Sequence, residues 1–499
     1  MAYREAVVGV VVGLAIGTIA ATSPFVALLV LVGIAFIWFR GWRFVDGLIV
    51  ACVMAFSGLA LFTPLKDMDI ATVLMPVALV YTLVFRTFRV RTRVGWENLI
   101  LWGLMGYVVI RFAATPTIQW QGSYGAAKVM LKVAAGVAVF LTVRWYWEHK
   151  RSAVIWTILI AAAANAIYAV YLQWRHVPLY NMHYSVDLYE PSMDRSSYRI
   201  GSLVGSPFMF ELLLASAALW YFVRVFAQGT SRVRNAYAVL AVATAGAMYL
   251  GQERSVFLGT LAAVTYALWT RSRGAGAVVG LGGLIGILGY VPLGGLSAES
   301  RFAVWHAALA VWSSSTMNAL FGVGWGNFYN AYLPMRVYIP AQIQQGASIV
   351  STQNALLDVL VTGGLVGATL FVGVVVAALA QVRRWPHSSE RTWVLAVWIA
   401  FLIFLQFDVL TGNYVNMAWF GCLVGVSWSR RDEIDSNRGT DVLPPETGRV
   451  LQLSEKLDTT ACEGSWGGAH TTHRCGERTV WRGHYGGDAS ARANEQAGL

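Results

Sequence analysis

STQNALLDVLVTGGLVG, residues 351–367, sets the class of this chain. Four polar residues, Ser351-Thr352-Gln353-Asn354, head a run that stays apolar to about residue 380. A helix needs roughly 20 mostly apolar residues to cross a bilayer. Runs of this kind fall near 6–21, 24–39, 44–62, 70–85, 98–113, 129–146, 153–173, 205–225, 235–252, 255–270, 276–293, 352–380, 392–410 and 414–429. That makes about 14 spans, or about 12 if the short first two form a re-entrant pair. The composition agrees, with 57% hydrophobic and 13% charged residues and a mean hydropathy of +0.56. A soluble domain carries about 25% charged residues. The 21 Trp and 21 Tyr suit membrane interfaces. The expected fold is all-α, a polytopic integral membrane protein. Arg4 before an apolar run resembles a signal peptide, but the many spans that follow point to an uncleaved first span.

Charge placement gives the orientation. The net charge is +11, yet the basic residues sit in short patches between apolar runs. That is a topology signal rather than a nucleic-acid groove. With a cytoplasmic N-terminus, the inside loops hold Arg40/Arg43, Arg86/Arg89/Arg91/Arg93, Lys150/Arg151, Arg232/Arg234, Arg271/Arg273, Arg383/Arg384/Arg391 and Arg430/Arg431. The outside loops 63–69, 114–128, 174–204, 253–254, 294–351 and 411–413 are poor in Lys and Arg for their length. One missed span would invert every later loop, so the unbroken alternation supports both the count and the orientation. The expected location is a bacterial inner membrane, multi-pass, with both termini cytoplasmic.

Two outside loops are long. Loop 174–204 is polar and aromatic. Loop 294–351 holds RFAVWHAALAVW, Arg301 to Trp312, in which Phe302, Trp305, Ala308, Leu309 and Trp312 recur at helical spacing. This predicts an amphipathic helix lying on the membrane. Residues 1–431 form the membrane domain, and 432–499 read as a disordered cytoplasmic tail, rich in Gly, Arg, Glu, Thr and His without apolar periodicity. Cys462, His470, His473 and Cys475 follow a C-x7-H-x2-H-x-C spacing that fits no common zinc site. No metal and no cofactor are expected.

An arginine at a helix centre costs roughly 2.5–3.5 kcal/mol on insertion scales, so arginines among apolar runs need a polar cavity or a partner. Arg254 sits in Gln252-Glu253-Arg254 with no loop to carry it into water. Either it snorkels from a tight turn, paired with Glu253, or it stands at the mouth of an outward-facing cavity. Arg199 precedes Gly201 and Pro207 at a span entry, where a helix N-terminus favours an anion. Arg301 opens the amphipathic helix, either as part of its polar face or as a third cation. An anion with two phosphates would suit three guanidinium forks. Phe321-Gly322-Val323-Gly324-Trp325-Gly326-Asn327 follows no strand, which points to a tight backbone turn rather than a nucleotide loop. Asp358 lies one turn below Asn354 on the same helix face, which is also the pattern of simple capping and packing.

In this order, Arg199 with Gly201, Gln252-Glu253-Arg254-Ser255, Arg301 with Trp305, the Phe321–Asn327 glycine run, and Gln353-Asn354-Ala355-Leu356-Leu357 followed by Gly363-Gly364-Leu365-Val366-Gly367 resemble the O-antigen ligase and polymerase superfamily. The resemblance covers 195–380 by motif and the rest by topology. It implies transfer of a glycan from an undecaprenyl-pyrophosphate carrier to a sugar hydroxyl at the outer face of the inner membrane. The acceptor would be a growing glycan or a lipid A-core-type molecule, with neither metal nor nucleotide sugar. Arg254, Arg301, Gln353 and Asn354 would serve catalysis. Arg199, Gly201, Glu253, Trp305, Gly324 and Asp358 would serve substrate binding. The chain departs from the pattern at Gln353, where ligases of the family usually carry the histidine proposed as general base. An amide can orient a hydroxyl but cannot take its proton. Glu253, Glu211, Asp358, His306 and His183 are the alternative bases. A flippase or transporter of lipid-linked sugars is the competing reading, although no internal repeat is evident. A non-catalytic membrane relative is the third.

Overall fold

The computed structural model describes residues 96–114, 126–175, 202, 207–227, 230–251, 254–290, 296–333, 352–408 and 414–429. The spans expected at 6–21, 24–39, 44–62 and 70–85, most of loop 174–204 and the tail 432–499 lie outside them. The described residues are mostly helical and contain no strand. The helices are α1 (Trp96–Ala113), α2 (Ala126–Arg175), α3 (Pro207–Ala227), α4 (Ser231–Met248), α5 (Arg254–Trp269) and α6 (Arg273–Tyr290). They continue with α7 (Leu296–Ser313), α8 (Thr316–Phe321), α9 (Phe328–Tyr332), α10 (Ala355–Arg384), α11 (Ser389–Phe404) and α12 (Tyr414–Ser427). Within α2, α3 and α10 the segments Val129–Tyr171, Met209–Ala227 and Ala355–Arg384 are long and apolar enough to cross a membrane. Parts of α1, α5, α6 and α12 form shorter apolar helices.

Among the described residues, the basic loops gather at one end of the bundle. Trp147 of α2 stacks on Trp385 and Trp393, each at 6.2 Å. Beside them Arg151 pairs with Glu390 at 3.3 Å, and Arg391 donates to the Trp385 carbonyl at 3.0 Å. Trp220 of α3 packs edge-on to Trp393 and carries Arg224 over its ring at 5.5 Å. Arg271 lies over Phe226 at 5.9 Å. The opposite end holds the head of α10, where the Asn354 amide donates to the Gln406 carbonyl at 3.1 Å.

These contacts fix the helix directions. Gly259 of α5 faces Ala400 of α11 so closely that a Cβ would stand 2.7 Å from the Ala400 carbonyl oxygen. Gly251, just before α5, faces Glu211 near the start of α3. Both α3 and α5 therefore begin at the Asn354 end. The Ser202 hydroxyl, five residues before α3, donates to the Asn165 carbonyl at 2.7 Å. Asn165 is thus at the Asn354 end while Trp147 is at the basic end. The continuous-looking α2 is a helical hairpin, folded at the non-helical Lys150 (φ −148°, ψ 56°). The sequence placed its spans on either side of that residue.

Close backbone approach holds the bundle together. In α12, Gly421 and Gly425 are spaced one turn apart and meet α2. A Cβ on Gly421 would land on the Gly136 carbonyl oxygen, and one on Gly425 would stand 2.7 Å from the Phe140 carbonyl oxygen. A Cβ on Gly136 would stand 2.8 Å from the Met417 carbonyl oxygen. Without a solvent-driven hydrophobic force inside lipid, such contacts supply the van der Waals term that helix association needs.

Replacing Gly421 by Val is expected to lower stability by about 2–3 kcal/mol, the cost of overpacking a tight contact. Gly282→Val, at a position where a Cβ meets nothing within 4 Å, is expected to leave the melting temperature unchanged. Thermal unfolding of the detergent-purified proteins compares the two. Equal melting temperatures would show that α2 and α12 do not meet at this glycine.

Candidate functional site

The site is built on a broken helix. The sequence reads 352–380 as one uninterrupted span, but α10 leaves helical geometry at Gly364 (φ +65°, ψ −171°). A continuous helix would give the Val361 and Thr362 carbonyls to amides one turn later. Here they accept from the Val323 amide at 2.9 Å and the Gly324 amide at 3.0 Å. Gly322 and Gly364, both with positive φ, interlock. A Cβ on Gly322 would strike the Thr362 carbonyl and stand 2.5 Å from the Gly364 nitrogen, and one on Gly364 would strike the Leu320 carbonyl. The glycine run that looked like a tight turn in the sequence is therefore the piece that completes the break.

α1 clamps this joint from the side. Its contacts run antiparallel to α10, with Ile100 facing Gly373 and Tyr107 facing Gly363 and Gly367. The Tyr107 hydroxyl lies within hydrogen-bond reach of both the Phe321 carbonyl, at 3.0 Å, and the Gly363 carbonyl, which share its one proton. Arg111 donates to the Gly322 carbonyl at 2.7 Å. The sequence reading passed over both residues. Arg111 had a usable signal, a guanidinium at the end of an apolar run.

The joint docks α7, α8 and α9 onto the first turns of α10. Val304, Ala307, Ala308 and Val311 of α7 are buried with Phe328, Tyr332 and Val361. Of the stripe expected from the sequence, Ala308 is buried in this cluster and Trp312 packs against it. Phe302 is 64% exposed and Leu309 45% exposed, so α7 has a second apolar side turned away from the protein. Both sides are apolar, and packing against α10 chose the one with small and β-branched residues. Trp305 packs edge-on to Phe302 at 5.4 Å.

Docking brings Arg301 to the head of α10. Asn354 caps that helix, its side chain accepting from the Leu357 amide at 2.9 Å. Thr352 donates to the Asn354 carbonyl at 2.9 Å. The Ala355 amide donates to the Leu405 carbonyl at 2.8 Å. Between Thr352 and Asn354, Gln353 sits in left-handed backbone at φ +50°, a conformation costing a non-glycine residue about 1–2 kcal/mol. The Arg301 guanidinium lies over the Phe407 ring at 5.6 Å, and Asn416 donates to the Asp408 carboxylate at 3.0 Å. Asp358, one turn into α10, is buried.

Of the residues singled out in the sequence, the structure brings together Arg301, Gln353, Asn354 and Asp358, with Gly324 (φ +98°) in the joint beneath them. Arg254 opens α5 at the same end, and of Arg254 only the backbone is described. Glu211, fully buried, packs on Gly251 three residues before it, where a Cβ would stand 2.7 Å from the Glu211 Cγ. Arg199, Gly201, Glu253 and His183 lie outside the described residues. His306 is exposed on α7. Gln406, Phe407 and Asp408 were missed, although polar residues closing the apolar run 392–410 were a visible signal.

Chemically, this end offers a guanidinium steadied by a ring, the N-termini of α5 and α10, and the carboxylates Asp358, Asp408 and Glu211. Helix N-termini and guanidinium groups both favour an anion. No known protein family matches the chain, and no curated protein matches it.

Gly364→Ala is expected to cost about 1–2 kcal/mol from its backbone conformation alone, with the clash against Leu320 added. Tyr107→Phe is expected to cost about 1 kcal/mol for its lost hydrogen bonds. Gly103→Ala, whose Cβ would reach Leu370 at an ordinary 3.7 Å, serves as control. Thermal unfolding in detergent measures all three. A Gly364→Ala protein as stable as Gly103→Ala would argue against the break.

Proposed function

We propose that this protein transfers a glycan from an undecaprenyl-pyrophosphate carrier to a sugar hydroxyl, as an O-antigen ligase or polymerase type of glycosyltransferase. The observation that carries this reading is a separation of ends. Among the described residues the basic loops sit at one end of the bundle, while Arg301, the start of α5 at Arg254 and the polar head of α10 lie at the other. Basic loops mark the cytoplasmic side, so the reading puts the site at the outer face of a polytopic inner-membrane protein of about 12–14 spans. That is where a lipid-linked glycan awaits transfer.

In the proposed reaction the acceptor hydroxyl oxygen attacks the anomeric carbon. The bond from that carbon to the pyrophosphate oxygen breaks, and undecaprenyl pyrophosphate leaves with the electron pair. Arg254 and Arg301 stabilise the charge that grows on this leaving group, a term worth most where water is excluded. The hydroxyl proton passes to a carboxylate, for which Asp358 is placed one turn below Asn354. Gln353 orients the acceptor through its amide.

The broken α10 favours a second reading, a transporter of lipid-linked sugars, since secondary transporters build their substrate sites from interrupted helices. In α10, however, the Val361 and Thr362 carbonyls are taken up by the glycine loop rather than turned to a cavity.

Purified protein supplied with an undecaprenyl-pyrophosphate glycan and an acceptor tests the proposal. Arg254→Ala and Arg301→Ala are each expected to lower transfer by roughly 10²-fold or more, the usual effect of removing one charge-stabilising donor. Full activity in both would overturn the assignment. Translocation of the lipid-linked glycan in proteoliposomes without transfer would favour the transporter. Unchanged activity in Gln353→Ala would remove that side chain from the mechanism.

A further inference from the structure

Two helix pairings leave a gap between them. α1 packs on α10, with Gly103 facing Leu370 and Gly367 facing Tyr107. α2 packs on α12 at Gly136 and Gly421. Phe371 of α10 stacks on Phe420 of α12 at 5.4 Å. The gap holds a cavity of about 770 Å³, its open mouth included. Its described lining residues come from all four helices and from the glycine loop, and every one is apolar, aromatic or glycine. Trp102 of α1 lines it and is 45% exposed, which places the mouth on the α1 side. Along α12 the lining runs from Met417 to Val424, about 10 Å of helix.

Water finds no hydrogen-bond partner in such a space. Lining atoms that face a void forgo their dispersion contacts. At membrane depth a hydrocarbon chain supplies those contacts. The cavity is also continuous with the site described above. Val359, which lines it, follows Asp358 in α10 and lies five residues below the cap at Asn354, about 7–8 Å along the helix. Trp325, which also lines it, follows Gly324 in the glycine loop. A phospholipid chain would fill the space, but only a lipid whose headgroup is held at the head of α10 begins its chain this close to Val359.

We propose that this cavity takes the first isoprene units of the donor's polyprenyl chain while the pyrophosphate lies at the head of α10. The proposal rests on the glycan-transfer reading for the identity of the lipid. A chain seated there limits how the headgroup can turn, and so helps to fix the anomeric carbon before the acceptor.

The test places the photoreactive residue p-benzoylphenylalanine at position 102 of the full-length protein. The control carries it at position 109, since Val109 is 54% exposed on the same helix and is not among the lining residues. Both proteins are reconstituted in phosphatidylcholine vesicles containing undecaprenyl pyrophosphate and irradiated, and mass spectrometry identifies the adducts. Position 102 is expected to capture the undecaprenyl chain, and position 109 mainly phosphatidylcholine. Adding Val137→Phe, which fills the cavity from α2, is expected to lower undecaprenyl capture at 102 several-fold and to leave the adducts at 109 unchanged. Adducts at 102 with phosphatidylcholine alone, or with a peptide from residues 1–95, would overturn the proposal. So would undecaprenyl capture that Val137→Phe does not reduce. Capture at 102 that is lost in Val137→Phe, in a protein that transfers no glycan, would uphold the cavity as a polyprenyl site and overturn the transfer reading instead.

Discussion

Where α10 leaves helical geometry at Gly364, two carbonyls would be left without amides inside an apolar bundle. In a lipid interior each such group costs several kcal/mol, so a break survives only where protein backbone refills it. Val323 and Gly324 do so, and they can approach only because Gly322 and Gly364 lack side chains. The remaining arrangement follows from this joint. It seats α8 against α10, α8 carries α7 with it, and α7 holds Arg301, in its second turn, over Phe407. Tyr107 and Arg111 of α1 then brace the same loop. A cation that seems isolated in the sequence is thus placed by a backbone contact some twenty residues downstream of it.

The two ends of the bundle are held by different physics. At the basic end, the large rings of Trp147, Trp220, Trp385 and Trp393 stack together while arginines lie over ring faces or pair with Glu390. These aromatic bodies with polar rims suit a membrane boundary. At the Asn354 end the contacts are hydrogen bonds between side chains and loop carbonyls. They fix backbone positions closely, as a site needs. Between the two ends, glycines let α2 meet α12 and α5 meet α11 at backbone distance.

Much of this was legible in the sequence because membrane helices announce themselves by composition. The apolar runs at 98–113, 205–225, 255–270 and 414–429 fall on α1, α3, α5 and α12 within a few residues. The basic turn at Lys150 and Arg151 marked the fold of α2, which contiguous helix geometry alone would hide. The cap at Asn354 was visible as a polar residue heading an apolar run. The interruption of α10 was not, because Gly363-Gly364 in an apolar run also fits close helix packing. Which side of α7 packs was equally hidden, since Phe302 and Leu309 are as apolar as Val304 and Val311. Hydrophobic periodicity finds a helix face only when the opposite face is polar. Phe407 was missed for a related reason: a phenylalanine at the end of an apolar run carries no signal of its own until a cation is seen above it.

The departure at Gln353 takes on a different meaning in the folded chain. Its left-handed backbone is imposed by neighbours on both sides, the buried Thr352 and the capping Asn354. The Asn354 side chain is already committed to the Leu357 amide and to Gln406. The strain therefore serves the placement of whatever side chain stands at 353, whether or not that side chain takes a proton. A histidine there would add a base to a position the backbone already presents. Under the proposed transfer, a glutamine would leave the presentation intact and the proton would pass to a nearby carboxylate, such as Asp358 in the first turn of α10. Under the same proposal, Gln353 would change which group receives the acceptor's proton and would leave the placement of the acceptor to the head of α10.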